Sequence, residues 1–138
     1  MPQTAAEIVR ILDVESIGED RYLGRHPEES MLAKVYGGQL FGQALVAAAR
    51  TVAPARPAHS FQAICLEPGT HGEEVRYEVE RIRDGRSFSA RSVLAFQGDR
   101  PVLRLTASFQ PREPGLSHQV CMPATTQRRS STMTSAGC

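Results

Sequence analysis

The sequence predicts an α+β domain in which one long buried helix is wrapped by an antiparallel sheet. Two observations lead to this prediction. Residues 38–53 are apolar on almost every side of a helix, and such a helix must be covered by other structure. After Pro57 the pattern changes to strand-like segments separated by turn signals. At 138 residues the chain has the length of one ordinary domain.

The elements before the long helix are short. Residues 4–12, TAAEIVRIL, predict an amphipathic helix with Thr4 as its N-cap and Glu7 at the capping-box spacing. The segment DRYLGRHP predicts a short strand that leads into a loop from His26 to Lys34, in which nothing is periodic.

The long helix is predicted to begin near Gly38 and to end before Pro54, because proline cannot continue the helical hydrogen bonds. Glycine in a helix interior costs about 1 kcal/mol relative to alanine. Gly42 is therefore expected where a strand backbone or a ligand approaches closely. Two narrow stripes interrupt the apolar surface: Gln39, Gln43 and Arg50 in one, and Gly38, Gly42 and Ala49 in the other.

Four strands are predicted after Pro57, in the segments AHSFQAICLEPG, VRYEVERIR, SFSARSVLAFQ and PVLRLTASFQ. The second segment alternates in hydropathy up to a switch at Ile82. Asp84-Gly85 and Gly98-Asp99 are typical of turns between strands. Alternation places two rows of side chains toward the core: Val75, Tyr77 and Val79 from the second strand, and Pro101, Leu103, Leu105, Ala107 and Phe109 from the fourth.

The composition is typical of a soluble globular protein, with 22% charged residues, 41% hydrophobic residues and a formal charge of +1. This balance favours neither nucleic acid nor a membrane as a partner. Three widely spaced cysteines without a CxxC motif favour a reducing compartment, so a cytoplasmic location is expected. Because the sequence becomes polar near its end, we predict a domain over residues 1–114 and a disordered tail over residues 115–138.

Several familiar kinds of catalytic site are missing from the sequence. It contains no GxSxG motif, which disfavours a serine hydrolase, and no phosphate loop or GxGxxG, so no cofactor is predicted. The four histidines show no ligand spacing, so no metal site is predicted. His59 and Cys65 share a predicted strand face but lie about 20 Å apart along it. Cys65 is expected to pack in the core.

A set of polar residues lies beside the apolar strands and the helix. Taken singly, each is more readily explained as a structural group bonded to backbone than as a catalytic one. The arginines near the Asp-Gly turn could meet phosphates. They alternate with acids, however, which favours a solvated, salt-paired face. The two sets are Gln39, Gln43, His59, Gln62, Arg91 and Gln110, and Arg81, Arg83, Arg86 and Arg91.

Four motifs carry a resemblance to a known family: YGGQLFGQALVAAARTV, HSFQAICLEPG, YEVERIRDGRSFSARSVLAFQ and ASFQ. In this order and spacing, over about residues 7–114, they resemble the first half of the TesB-type acyl-CoA thioesterases (thioesterase II). The resemblance implies a hot dog fold, which agrees with the α+β prediction. It also implies that the helix glycines let the sheet close on the helix, and that the helix glutamines lie where two hot dog units meet.

Members of that family resemble two hot dog units in one chain, and the resemblance here covers the first unit. The family's Asp, its Ser or Thr and its Gln, which activate water against the thioester, belong to the second unit. In this sequence the position of the Asp holds Ala58, the position of the Ser or Thr falls near Gly85, and the position of the Gln holds Gln110. The resulting candidates are Gln110 and His59 as catalytic residues, and Gln39, Gln43, Arg86 and Arg91 as substrate-binding residues.

The function implied by the resemblance is hydrolysis of fatty acyl-CoA to free fatty acid and CoA, by an acyl-CoA thioesterase or the N-terminal half of one. Acyl-CoA is the expected substrate, and a homodimer or a second hot dog unit the expected partner. Without a general base the chain alone is expected to be weakly active or inactive. The alternative is a non-catalytic hot dog module that dimerises and binds acyl-CoA or a partner hot dog. A hot dog hydratase is disfavoured, because residues 26–52 contain no Asp.

Overall fold

The computed structural model describes residues 4–25 and 36–121, which form two helices and one six-stranded antiparallel sheet. Along the sheet the strands follow the order β1-β2-β4-β5-β6-β3, so β1 and β3 are its two edges. The elements in chain order are α1 (Ala5–Leu12), β1 (Val14–Gly18), β2 (Arg21–Gly24), α2 (Gly37–Ala49), β3 (Ala58–Cys65), β4 (Val75–Asp84), β5 (Ser89–Gln97) and β6 (Arg100–Phe109).

Helix α1 begins at the predicted capping box. The Glu7 backbone N–H donates to Thr4 Oγ1 at 3.3 Å, and the Thr4 backbone N–H donates to the Glu7 carboxylate at 3.2 Å. These two bonds satisfy N–H groups that the first turn of a helix leaves without partners. The predicted N-terminus of α1 is confirmed.

Helix α2 packs across one face of the sheet and contacts all six strands. Its Leu40, Ala44, Ala47 and Ala48 are buried against the predicted rows of β4 and β6. Both rows are confirmed, with Pro101 partly buried at the end of its row. Each fully buried side chain of Val or Leu size contributes about 1.5–3 kcal/mol. The α+β arrangement of a helix against an antiparallel sheet is therefore confirmed.

The two predicted turns connect β4, β5 and β6. Asp84 pairs with Ser89 and closes a four-residue loop, while Gly98, at a φ of 59°, lies in the tight turn before β6. A register shift between Arg81 and Arg83 interrupts the β4–β5 pairing. Ile82, at which the alternation switches, is 53% exposed at this irregularity.

The two edge strands differ from the sequence prediction. Strand β1 was not predicted, because only Val14 of its five residues is buried. Strand β3 was predicted to alternate between buried and exposed positions, but seven of its eight residues are exposed. Cys65 is one of them, so its predicted place in the core is wrong. The reason is that β3 lies at the edge of the sheet, where helix α2 covers it less than it covers the central strands β5 and β6.

The space beside Gly42 is filled by helix α1, and not by a strand. A Cβ atom at Gly42 would lie 2.5 Å from Leu12 Cδ2. The prediction that this glycine admits the sheet is therefore wrong, and it admits the last residue of α1 instead. The predicted loop from His26 to Lys34 lies outside the described residues.

The C-terminal region is described only to residue 121. Residues 110–121 form neither helix nor strand, and from residue 112 onward they are exposed. The rest of the proposed tail lies outside the described residues. The boundary between residues 114 and 115 stays a prediction.

Candidate functional site

The ends of four strands meet at one end of the sheet. Strands β3 and β5 begin there, and β4 and β6 end there. Phe109 joins them, because it pairs with Ala58 on one side and Ser89 on the other. We call this region the hairpin end, and it comprises residues 56–59, 83–91 and 107–110.

The three positions at which the resemblance places reactive groups all lie at the hairpin end. Gly85 begins the loop between β4 and β5, and Ala58 begins β3. The Gln110 backbone N–H donates to the Pro57 carbonyl at 3.2 Å, which holds the half-buried Gln110 beside the start of β3. Ala58 and Gly85 offer no titratable group, so Gln110 is the one polar side chain of the three.

His59 lies against a serine and an aromatic ring. Its Nε2 is 2.8 Å from Ser108 Oγ, and its ring meets Phe88 edge-on with centroids 5.9 Å apart. Ser108 lies between two core residues of β6 and therefore faces away from the helix. An imidazole at hydrogen-bond distance from a hydroxyl can exchange a proton with it.

A register shift in β3 explains why His59 reaches this outer face. It lies between Ala58 and Ser60 and breaks the alternation that the sequence suggested. Cys65 pairs with the core residue Leu103 and so lies on the helix side of the sheet. The expectation that His59 and Cys65 share a face is wrong.

Arg91 is a buried structural arginine with 1% of its surface exposed. It donates to Thr51 Oγ1 at 2.7 Å, to the Thr51 carbonyl at 3.0 Å and to Asp84 Oδ1 at 2.7 Å. Two further bonds run to the carbonyls of Arg83, at 3.0 Å, and Ala90, at 2.9 Å. A guanidinium has five N–H groups, so these bonds occupy all of them. Arg91 does not lie on the solvated face that was predicted for it.

Arg56 binds the same hairpin from the loop after α2. It donates to the Gly85 carbonyl at 2.9 Å, to Ser89 Oγ at 2.8 Å and to the Arg86 carbonyl at 2.7 Å. With Arg91, it fixes the β4–β5 loop to the end of helix α2. Arg86 itself is exposed in that loop.

Asp84 is the single carboxylate at the hairpin end, and 53% of its side chain is exposed. The hydrogen bond from Arg91 holds the pKa of Asp84 below its usual value, with smaller help from Ser89. A carboxylate with a lowered pKa accepts a proton less readily. Asp84 is therefore a weak candidate for a general base at neutral pH.

Gln43 holds three elements together inside the unit. It is fully buried, and its amide nitrogen donates to the Ile11 carbonyl at 2.6 Å and the Arg25 carbonyl at 3.2 Å. Its Oε1 accepts from the Tyr77 hydroxyl at 2.7 Å. Burial raises the pKa of Tyr77, which keeps this hydroxyl a donor. These bonds place Gln43 in the interior of the unit, and its expected role at an interface between two units stays a prediction.

Gln39 is separated from the hairpin end. It is half-buried in the first turn of α2, about 15 Å along the helix from Ala49. The structure thus brings together His59, Arg86, Arg91 and Gln110, and it places Gln39 and Gln43 elsewhere. The binding or catalytic roles of all six stay predictions.

The salt-paired face expected near the Asp-Gly turn exists in part. Arg81 donates two parallel hydrogen bonds to Asp20, at 2.7 and 2.9 Å. The bond from Arg81 lowers the pKa of the Asp20 carboxyl. Asp20 also has a positive φ of 53°, a conformation that Asp tolerates better than most residues.

Ser108 and Thr51 were missing from the sequence-based candidates. Both follow from the fold, because strand pairing brings Ser108 to His59 and the exit of α2 brings Thr51 to Arg91. In residues 4–25 and 36–121, no group of three or more His, Cys, Asp or Glu could hold a metal ion. Neither described helix has the length and hydropathy needed to cross a membrane.

Comparison with known proteins identifies what the chain resembles. Residues 26–110 match the family model described as the acyl-CoA thioesterase N-terminal domain. Mouse acyl-coenzyme A thioesterase 8 is 41% identical over 118 residues, which cover 85% of this chain and 37% of the relative. Acyl-CoA thioesterase 2 of Haemophilus influenzae is 37% identical over 116 residues, covering 84% of this chain and 40% of the relative.

Solved structures with the same fold are similar over most of the chain. The tesB protein of Mycobacterium avium subspecies paratuberculosis superposes with a TM-score of 0.76 at 32% identity, covering 88% of this chain and 47% of its own. Acyl-CoA thioesterase II TesB2 of Mycobacterium marinum gives 0.73 at 39% identity, covering 86% and 43%. The chain therefore spans less than half the length of each of these relatives.

Proposed function

The chain belongs to the acyl-CoA thioesterase family through its N-terminal domain, and we propose on that premise that it acts as the N-terminal half of an acyl-CoA thioesterase. The reaction is the hydrolysis of fatty acyl-CoA to free fatty acid and CoA, within fatty acid metabolism. A cytoplasmic location is part of the proposal, supported by the free thiols of Cys65 and Cys121.

The observation that carries the proposal of a half is the open edge of the sheet. Among the strands that the structure describes, β3 has one neighbour. Hydrophobic side chains are exposed on both of its faces: Phe61 by 51% and Ile64 by 54%, with Leu66 beyond it by 46%. An uncovered edge with apolar side chains tends to pair with another strand. A second hot dog unit, in a second copy of this chain or in a partner, fits this edge.

The catalytic contribution proposed for this half is modest. Gln110 supplies an amide that can orient a water molecule, and His59 supplies an imidazole that can accept its proton. Hydrolysis requires that a water oxygen attack the thioester carbonyl while the CoA sulfur leaves and is protonated. The carboxylate at the hairpin end is bound to Arg91, so a free carboxylate from a second unit is needed for turnover at the rate of a complete enzyme.

The test is release of free CoA from octanoyl-CoA by the purified chain. We expect slow or no release, with any residual release lowered by Gln110→Ala and His59→Ala. The control is Gln62→Ala, a change of an exposed glutamine on β3. Turnover comparable to that of the longer relatives, removed by Gln110→Ala, would show that this half is a complete enzyme.

The second candidate function is a non-catalytic module that binds acyl-CoA or a partner hot dog. The pairing of Asp84 with Arg91 favours it, because it leaves the hairpin end without a free carboxylate. Binding of octanoyl-CoA without release of CoA, even after a second unit is added, would support this function over the first.

A further inference from the structure

The tip of the β4–β5 hairpin, residues 81–91, carries an excess of positive charge that its own acid does not neutralise. Residues 81–91 contain four arginines and one acid, although the whole chain has a formal charge of only +1. Asp84 is bound by Arg91, and Arg81 is bound to Asp20. Two arginines remain.

The two remaining cations are Arg83 and Arg86. Within the described part of the chain, no ion pair or hydrogen bond engages either guanidinium, and both residues are exposed. The Nε of Arg83 lies 3.3 Å from the position that a Cβ atom on Gly85 would occupy, so Arg83 folds toward the loop that contains Arg86. Arginine is well suited to phosphate, which it can bind with two parallel hydrogen bonds.

The backbone of this loop adds to the positive potential. Four carbonyl oxygens of the hairpin, those of Arg83, Gly85, Arg86 and Ala90, accept hydrogen bonds from Arg56 or Arg91. Their negative ends are thereby neutralised by buried or half-buried cations. The loop is also held in one conformation before any ligand arrives, which lowers the entropy cost of binding.

An aromatic surface lies beside these charges. The Phe88 ring is 48% exposed and meets His59 edge-on at 5.9 Å. Exposed aromatic rings of this kind bind nucleobases by stacking, whatever the base. Elsewhere on the sheet Arg76 covers the Phe96 ring but is bound to Glu78, so that site has no free cation.

We propose that the tip of the β4–β5 hairpin binds a phosphorylated nucleoside, with Arg83 and Arg86 on the phosphates and Phe88, supported by His59, against the base. Arg91 and Arg56 act as positioning residues that hold the loop. If the proposed function is correct, the ligand is the adenosine 3′,5′-bisphosphate end of CoA.

The experiment is a calorimetric titration of the purified chain with adenosine 3′,5′-bisphosphate, inorganic pyrophosphate and adenosine. We expect the bisphosphate to bind most tightly, and its affinity to fall with added salt. Arg83→Gln and Arg86→Gln should each weaken it about 3- to 10-fold. Arg10→Gln removes the same charge from the exposed face of α1 and should change nothing. Phe88→Leu should weaken the binding of the bisphosphate but not the binding of pyrophosphate.

Octanoyl-CoA is titrated in parallel, so that the two proposals can fail separately. The inference is overturned if the bisphosphate does not bind the wild type, or if it binds the double variant Arg83→Gln/Arg86→Gln as tightly as the wild type. If octanoyl-CoA also binds both proteins equally, the proposed function survives without this site. If the double variant loses the bisphosphate but octanoyl-CoA binds no more tightly than the bisphosphate, the nucleotide site stands and the proposed function fails.

Discussion

Replacing Arg91 with methionine should destabilise the domain by about 3–4 kcal/mol. The variant removes four hydrogen bonds to Thr51 and to two carbonyls of the hairpin, at a site with 1% exposure. Each is worth about 1 kcal/mol net, and the buried acceptors are left without partners. The contact with Asp84 is left out of this figure, because half of that carboxylate is exposed and solvent screens the pair. Arg91→Lys, which keeps the charge and loses the planar fork, should cost about 2 kcal/mol.

Urea unfolding followed by circular dichroism measures this loss, with equal slopes required for the comparison. The control is Arg10→Met, an exposed arginine on α1 whose loss should change stability by less than about 0.5 kcal/mol. A loss at Arg91→Met below about 1 kcal/mol would refute the view that this side chain holds the hairpin.

The contact between Arg91 and Asp84 should also make the stability of the domain depend on pH in the acid range. Because Arg91 lowers the pKa of Asp84, the pair contributes stability that is present above the ordinary value of 3.8 and is lost as the pH falls through the lowered pKa. The wild type should therefore lose more stability than Arg91→Met between neutral pH and about pH 3. Equal losses would contradict the pairing.

Three further changes test the packing. Gln43→Leu removes three buried hydrogen bonds and should cost about 2–4 kcal/mol in urea unfolding. Gly24→Ala should cost a similar amount, because its Cβ would lie 2.5 Å from Gln43 Oε1 and 2.8 Å from Tyr77 Cε2. Gly42→Ala meets the end of the Leu12 side chain at 2.5 Å and should cost under about 1 kcal/mol. Ile64→Lys on the open edge should lower the mass of the assembly measured by light scattering, without loss of the helix signal in circular dichroism.

Patterns that depend on neighbouring residues were readable from the sequence. The buried rows of β4 and β6 follow from period-two alternation, and the switch at Ile82 marks the irregularity found in β4. The Thr4 capping box and the Gly98 turn likewise depend on a few adjacent residues. Each of these features depends on residues that are close together in the sequence.

The site required contacts between distant parts of the chain. Arg91 is the one charged residue of β5, and its structural role follows only when the end of α2 brings Thr51 to it. Gln43 gains its partners only when α1 and β2 close over the helix. The face of His59 depends on a register shift that strand alternation cannot reveal. Cys65 is exposed on β3, which is an edge strand of the described sheet.

The proposal that this chain acts as one half of a thioesterase is tested most directly by measuring free CoA released from octanoyl-CoA. Release is measured for this chain alone and after mixing it with the part of a longer relative that it does not cover. The mass of each mixture is measured in the same buffer. We expect slow or no release by the chain alone, assembly of the two parts, and faster release by the assembly, with the gain reduced by Ile64→Lys at the open edge. Full-rate release by the chain alone as a monomer would contradict the proposal.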